Sequence, residues 1–114
     1  MTISLNGFNE QVATFEAESG VVAGIPVKLT GNGVVGVCAD KDAFCGVTLS
    51  ERGGFAAVQL SGYVQLPYTG TAAPAVGYQT LSAAAGGKVQ ADPAGRSFLV
   101  TDVDTAAKLC GIIL

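Results

Sequence analysis

Apolar and polar residues alternate in short runs from about residue 20 to the end of the chain, and glycine-rich segments separate these runs. The clearest alternation places apolar residues at Val58, Leu60, Val64 and Leu66, and polar residues at Gln59 and Gln65. A period of two is typical of a strand that buries one face. The Asn32-Gly33 step lies between two apolar runs and predicts a tight hairpin. The pattern therefore predicts short strands joined by tight turns.

The second half of the chain repeats the first in outline. Phe44 to Leu49 is similar to Phe98 to Val103, and Val58 to Leu60 is similar to Ile112 to Leu114, at an offset of about 54 residues. Regularly spaced short strands are typical of a sandwich or barrel. We predict an all-β fold: a small β-barrel or sandwich of short antiparallel strands, built from two similar meanders, with an extended N-terminal arm.

The same pattern suggests how the chain is divided. Residues 1–11 form the predicted arm, because chain ends are loose unless they dock. Residues 12–114 form one predicted β domain. Its halves span about 12–66 and 75–114, and the small-residue loop 67–74 joins them.

Composition narrows the function. The chain has 16 Gly, no Trp and no His, and only 13% of its residues are charged. Without histidine there is no Ser-His-Asp or Cys-His nucleophile pair, no His-ligated zinc and no imidazole base. We therefore predict a protein that is not an enzyme, with no catalytic residue, no metal and no cofactor.

Charge excludes further partners. The net charge is −3, and the six Lys and Arg residues are scattered singly. Nucleic-acid binding needs clustered basic residues, and a membrane span needs about 18 or more apolar residues in a row. The first residues also lack the pattern of a signal peptide. We predict neither a nucleic-acid nor a membrane partner, and synthesis in the cytoplasm.

Three cysteines are an odd number, which fits buried small hydrophobic residues better than a disulfide framework. A second interpretation stays open. If residues 34–39 pair with 44–49 around the loop 40–43, Cys38 lies opposite Cys45, at a separation that permits a disulfide.

Two local motifs have chemical interpretations. Residues 31–36 match G-x-G-x-x-G, but strand-like residues follow where a dinucleotide site needs a helix, so a hairpin is favoured. Lys41 lies at a predicted hairpin tip, as does the modified lysine of lipoyl and biotinyl carrier domains. A solvated charged turn explains Lys41 more simply, and a carrier domain modified at Lys41 is the less favoured alternative.

Hydrophobic residues make up 49% of this small chain, so some apolar surface must be exposed, and exposed patches indicate an interface. One candidate group lies at a strand end before the 67–74 loop, and the other lies on the N-terminal arm. The candidate interface residues are Tyr63, Leu66, Pro67 and Tyr68, together with Ile3, Leu5 and Phe8.

The order of these segments resembles a known family. A Gly24-Ile25-Pro26-Val27 strand is followed by a glycine-rich hairpin, by Phe44 to Leu49, by Ala57 to Val64, and by a second half that opens with Ala75-Val76-Gly77. This order, over about residues 12–114, is similar to that of the small phage head decoration (capsid cement) proteins.

The resemblance implies a compact β-barrel on the outside of an assembled phage head, often a homotrimer, whose partner is the major capsid protein. On that basis we expect a virion structural protein at the capsid surface that stabilises the shell. An alternative function at the same location is that of a virion-surface β-domain that binds a host receptor or glycan. Such a domain would need an exposed aromatic platform.

Overall fold

The computed structural model describes residues 11–70 and 73–114, and within them it contains ten β-strands and no helix. The strands are β1 Gln11–Ala17, β2 Pro26–Gly31, β3 Val34–Val37, β4 Gly46–Arg52, β5 Phe55–Ser61, β6 Tyr63–Pro67, β7 Gly77–Ala84, β8 Lys88–Ala91, β9 Arg96–Asp104 and β10 Leu109–Ile113. The prediction of an all-β fold built from short strands is confirmed. So is the Asn32-Gly33 hairpin, which joins β2 to β3 with Gly33 at a φ of 69°.

The first five strands form a closed barrel in the order β1-β3-β2-β4-β5. All neighbours are antiparallel except β1 and β3, which run parallel and pair Ala17 with Val35. Small apolar side chains fill this barrel, because five strands enclose little space. Its buried cluster consists of Val21, Val27, Val35, Ala56 and Val58.

The other five strands form a sheet in the order β6-β10-β9-β7-β8. Its four neighbouring pairs are pairs of the first barrel with each strand number raised by five. A parallel bridge between Tyr68 and Val89 joins its two edges, at the place where Ala17 pairs with Val35 in the first barrel. The two halves therefore share one topology, and we call the second sheet the second barrel.

Pro67 explains why the second barrel is closed by a single bridge. In the first barrel the N–H of Glu16 donates to the carbonyl of Gly33 at 2.9 Å. The strand register places Pro67 where the first barrel has Glu16. Proline has no N–H, so the corresponding hydrogen bond cannot form.

Hydrogen-bond register shows which residues correspond. Val58 lies opposite Thr48 in the first barrel, and Ile112 lies opposite Val100 in the second. The predicted match of Val58 to Leu60 with Ile112 to Leu114 thus agrees with the register. The match of Phe44 to Leu49 with Phe98 to Val103 is two residues out of register. The error arose because the connections before β4 and β9 differ in length.

The sheets divide at Gly62 rather than at the 67–74 loop that the sequence suggested. β6 pairs with β10 and so belongs to the second barrel. Gly62, at a φ of 97°, makes the bend between β5 and β6. The side-chain amide of Gln59 donates to the carbonyls of Ser61 and Tyr63, at 3.0 and 3.1 Å, on the two sides of this bend. Gln59 is buried for this reason, although the alternation predicted a solvent-facing residue.

Residues 34–39 and 44–49 do not pair, so the condition for a disulfide between Cys38 and Cys45 is not met. β2 lies between β3 and β4 and is hydrogen-bonded to both. Cys38 and Cys45 are therefore not cross-strand partners, and both are free, as is Cys110. The residues from 38 to 45, which we call the 38–45 loop, pack instead against the second barrel.

The 38–45 loop is held at several points. The N–H of Lys41 donates to the carbonyl of Ala83 at 2.8 Å, and the N–H of Ala83 donates to the carbonyl of Asp42 at 2.9 Å. The ring of Phe44 stacks on that of Phe98 with a centroid distance of 5.1 Å. Cys38, Phe44 and Val47 of the first barrel thus belong to the buried cluster of the second, which they share with Leu66, Leu81, Val89, Phe98, Val100, Cys110 and Ile112, among others.

Candidate interaction surfaces

The residues predicted as one interface patch at the end of β6 separate to opposite faces of that strand. Leu66 and Tyr68 point into the core of the second barrel and are buried, so their prediction as surface residues is wrong. Tyr63 and Pro67 point outward and are partly exposed. Strand alternation is the reason, since successive side chains leave a strand on opposite sides. Ile3, Leu5 and Phe8 lie outside the described residues.

Tyr63 is one end of an apolar row that crosses four strands. Register places Tyr78 opposite Leu99, Leu99 opposite Ile113, and Ile113 opposite Tyr63. Directly paired residues share a face, so these four side chains form a band about 14 Å across three strand spacings. Tyr78 is 76% exposed, and the other three are partly exposed. We call this band the open row.

A polar contact fixes the Tyr63 end of the open row. The Tyr63 hydroxyl donates to the carboxylate of Asp102 at 3.1 Å. Both side chains lie over Gly111 on the intervening strand, where any side chain would collide with them. Partial burial, and secondarily the bond to Asp102, raise the pKa of Tyr63, so the phenol stays neutral and remains a donor.

A second exposed apolar face lies on the first barrel. Val12, Leu49 and Phe55 project from the outer side of the neighbouring strands β1, β4 and β5 and are each more than two-fifths exposed. Ala57 lies between them on β5. This group, which we call the first-barrel face, was missed in the sequence because single apolar residues next to polar ones do not look like a patch. It lies beside Gln11, the first described residue.

The three cysteine side chains lie wholly or partly inside the protein. Burial raises the pKa of the thiols of Cys38 and Cys110 to about 11, so they stay protonated and behave as small hydrophobic residues. Burial also raises the pKa of the Cys45 thiol. Within the described residues, no group of three His, Cys, Asp or Glu side chains is placed to hold a metal ion. The same residues include no helix able to cross a membrane.

Lys41 lies in the 38–45 loop rather than at the tip of a hairpin. Its backbone has a φ of 68°, and its N–H is bonded to Ala83 of the second barrel. The ammonium group is exposed while the backbone beneath it is held on both sides of the loop. The structure therefore gives Lys41 a role in attaching the loop.

No family model and no curated protein matches this chain.

Proposed function

We propose that this protein is a virion structural protein that binds the outside of an assembled phage capsid and stabilises it, with the major capsid protein as its partner. The observation that carries the proposal is the first-barrel face, with Val12, Leu49 and Phe55 exposed on one rigid sheet. Exposed apolar groups on a rigid surface favour a protein partner, because burying them releases water without ordering the backbone. The resemblance over residues 12–114 agrees with this role.

The stabilisation follows from mass action. A protein that binds only the assembled lattice lowers the free energy of that lattice relative to free subunits. The first-barrel face exists on every copy, and a capsid repeats its sites many times. Copies that also contact one another gain avidity, so weak individual contacts hold the protein in place. The expected oligomer is the homotrimer that the resemblance implies.

Binding to assembled heads tests the proposal. Purified protein is mixed with heads of the virus that encodes this chain, or with the unassembled capsid subunits, and each mixture is sedimented. We expect the protein to sediment with heads and not to bind free subunits. Phe55→Glu places a charge in the first-barrel face, and we expect it to weaken binding at least tenfold.

Val22→Glu is the matched control, because Val22 is 56% exposed and Phe55 is 54% exposed, but Val22 lies in the loop between β1 and β2. It should sediment with heads like the wild type. Equal loss for both variants would exclude the first-barrel face as the binding surface. Absence of wild-type binding to heads would contradict the proposed function itself.

One observation favours a second candidate function. Tyr78 is the most exposed large hydrophobic residue of the described chain, and a tyrosine offers a ligand both an apolar ring face and a hydroxyl that forms hydrogen bonds. Such a side chain suits a virion-surface domain that binds a host receptor or glycan. Tyr63, the other aromatic residue of the open row, lies three strands away from Tyr78, so the row offers two separate rings. Binding of host-cell glycans by the wild type, lost on Tyr78→Ala, would favour this second function.

A further inference from the structure

We infer that copies of this protein associate head to tail, the open row of one copy packing on the β2–β3 end of the first barrel of the next. The inference is independent of the proposed capsid role, because it rests on a comparison of the two barrels within one chain. Within one chain, the first barrel already packs on the second through an interface of this kind. The second barrel has the equivalent of the packed row, and the first barrel has the equivalent of the receiving end, and both of these surfaces are uncovered.

The internal interface uses a row of the first barrel. Pro26 lies opposite Val47, and Val47 lies opposite Gln59. These side chains point outward from the first barrel, since the neighbouring Val27 and Val58 point into its core. All three are nonetheless buried, and Val47 belongs to the core cluster of the second barrel. The second barrel therefore covers this row.

The open row occupies the same positions on the second barrel. Register equates Tyr78 with Pro26, Leu99 with Val47, and Ile113 with Gln59. Tyr63 likewise takes the place of Val12, at the exposed end of the row. The first barrel thus buries this row against another barrel, whereas the second barrel leaves its own row uncovered and still apolar.

The receiving half of the internal interface lies at the β7–β8 end of the second barrel. There Ala83 bonds to the 38–45 loop, and Gly87 approaches the side chain of Ile25 so closely that a side chain at Gly87 would contact it at 2.8 Å. Leu81 on β7 is 1% exposed, and it shares its buried cluster with Phe44 of that loop.

The first barrel has the corresponding end, but nothing described covers it. The strand pairing equates Leu29 on β2 with Ala83 on β7, because Leu29 lies opposite Val35, Ala83 lies opposite Val89, and these two valines occupy the same place in the closing pairs of the barrels. Both side chains share the inner side of the sheet with these buried valines, and Ala83 is itself buried. Leu29 is 55% exposed. An inward-pointing leucine that is open to solvent marks a barrel end without its cover. The uncovered row on one barrel and the uncovered end on the other are complementary halves of one interface.

A second copy of the chain is therefore the occupant that fits both surfaces. A contact between two different patches is heterologous, so it forms a closed ring if the rotation between copies closes. Each added copy extends the succession of barrels by two. The turn at residues 92–95 is shorter than the 38–45 loop at the same position, so contacts between copies lack that attachment and should depend on protein concentration.

Light scattering after size exclusion, without any capsid present, tests the inference. We expect a mass that rises with protein concentration above the 11.4 kDa of one chain. Tyr78→Glu blocks the open row and Leu29→Glu blocks the receiving end, so each variant alone should remain at the mass of one chain. Both residues are mostly exposed, and an unchanged circular dichroism spectrum will show that the variants fold.

An equal mixture of the two variants distinguishes the mode of association. One intact open row and one intact receiving end remain, so the mixture should form a dimer and nothing larger. Phe55→Glu, on the first-barrel face, should assemble like the wild type although it loses capsid binding. A monomeric wild type at millimolar concentration would overturn the inference. So would assembly of either single variant, or a mixture that stays monomeric.

Discussion

Thr48 and Val100 occupy equivalent positions in the two barrels and differ by one hydroxyl group. Both are buried, and both lie opposite an apolar residue of the next strand. Among the described residues, the Thr48 hydroxyl has no hydrogen-bond partner. A buried hydroxyl without a partner retains the cost of losing its water, so Thr48 destabilises the first barrel.

We therefore expect Thr48→Val to raise the free energy of unfolding by about 1 kcal/mol, because valine keeps the shape and removes the unsatisfied group. Denaturant unfolding followed by circular dichroism measures it. Val100→Thr is the reciprocal variant and should lower the stability by about 1–3 kcal/mol. A stabilising Val100→Thr, or a destabilising Thr48→Val, would show that the two positions are not equivalent.

Asp42 attaches the 38–45 loop to β2. Lys28 Nζ donates to its Oδ2 at 2.6 Å, and the N–H of Ala39 donates to the same oxygen at 2.8 Å. The bond from Lys28, and then the one from Ala39, hold the pKa of the Asp42 carboxyl below its ordinary value of 3.8. Because the pKa is lower in the folded protein, this contribution to stability is complete above pH 3.8. It disappears as the pH falls through the folded pKa.

Asp42→Asn should accordingly lower the melting temperature at neutral pH, and the difference from the wild type should shrink as the pH falls below 3.8. Thermal unfolding over a pH series measures this. Asp40→Asn is the matched control, because its amide oxygen can still accept the bond that Gln90 donates to Asp40 at 2.8 Å. A difference between Asp42→Asn and wild type that is constant with pH would contradict the role of the ion pair.

At the scale of elements, the 38–45 loop makes the second barrel depend on the first. Phe44 is buried against Phe98, and the guanidinium of Arg96 also lies over the Phe98 ring, 4.9 Å from its centre. The loop therefore completes a core that belongs to another sheet. Loss of the loop contact should loosen the second barrel more than the first.

We expect Phe44→Ala to destabilise the protein by about 3–5 kcal/mol, since it removes a buried aromatic side chain. The N–H of Ala83, which donates to Asp42 of the loop, should exchange faster in the variant than in the wild type. The acceleration at Ala83 should be larger than that at the N–H groups of β1 and β5. Phe55→Ala is the control, and its exposed ring should contribute little. Faster exchange confined to the first barrel would contradict this dependence.

The strands and tight turns of this fold can be predicted from the local sequence, but the pairing of the strands cannot. The Asn32-Gly33 hairpin and the β4–β5 turn at Gly53-Gly54 follow from residues that tolerate a positive φ. The pairing of β1 with β3 and of β2 with β4 depends on barrel closure, which no local pattern encodes. Gln59 shows why local pattern is insufficient. Its side chain is buried because it donates to two carbonyls of the bend that follows it in the chain.

The same limit applies to the candidate surfaces. Tyr63 was found from its position at a strand end, but Tyr78, Leu99 and Ile113 are far from it in sequence and join it only through register. Leu66 has the same apolar character as these residues, yet it faces the core. The alternation of side chains along each strand decides which of these apolar residues face the core and which face solvent.

Over the whole molecule, one five-stranded barrel is used twice, and the copies have different exposed surfaces. In the first barrel, the row of Pro26, Val47 and Gln59 is buried, and the first-barrel face around Phe55 is exposed. The second leaves its row open. The two proposals use these surfaces separately: the first-barrel face would bind the capsid lattice, and the open row would bind a neighbouring copy.

Electron cryo-microscopy of heads incubated with excess protein tests the central claim most directly. We expect added density on the outer surface at regular lattice positions, with the first-barrel face toward the shell and the barrels in succession around each site. Heads without added density, or density only on the inside of the shell, would contradict it.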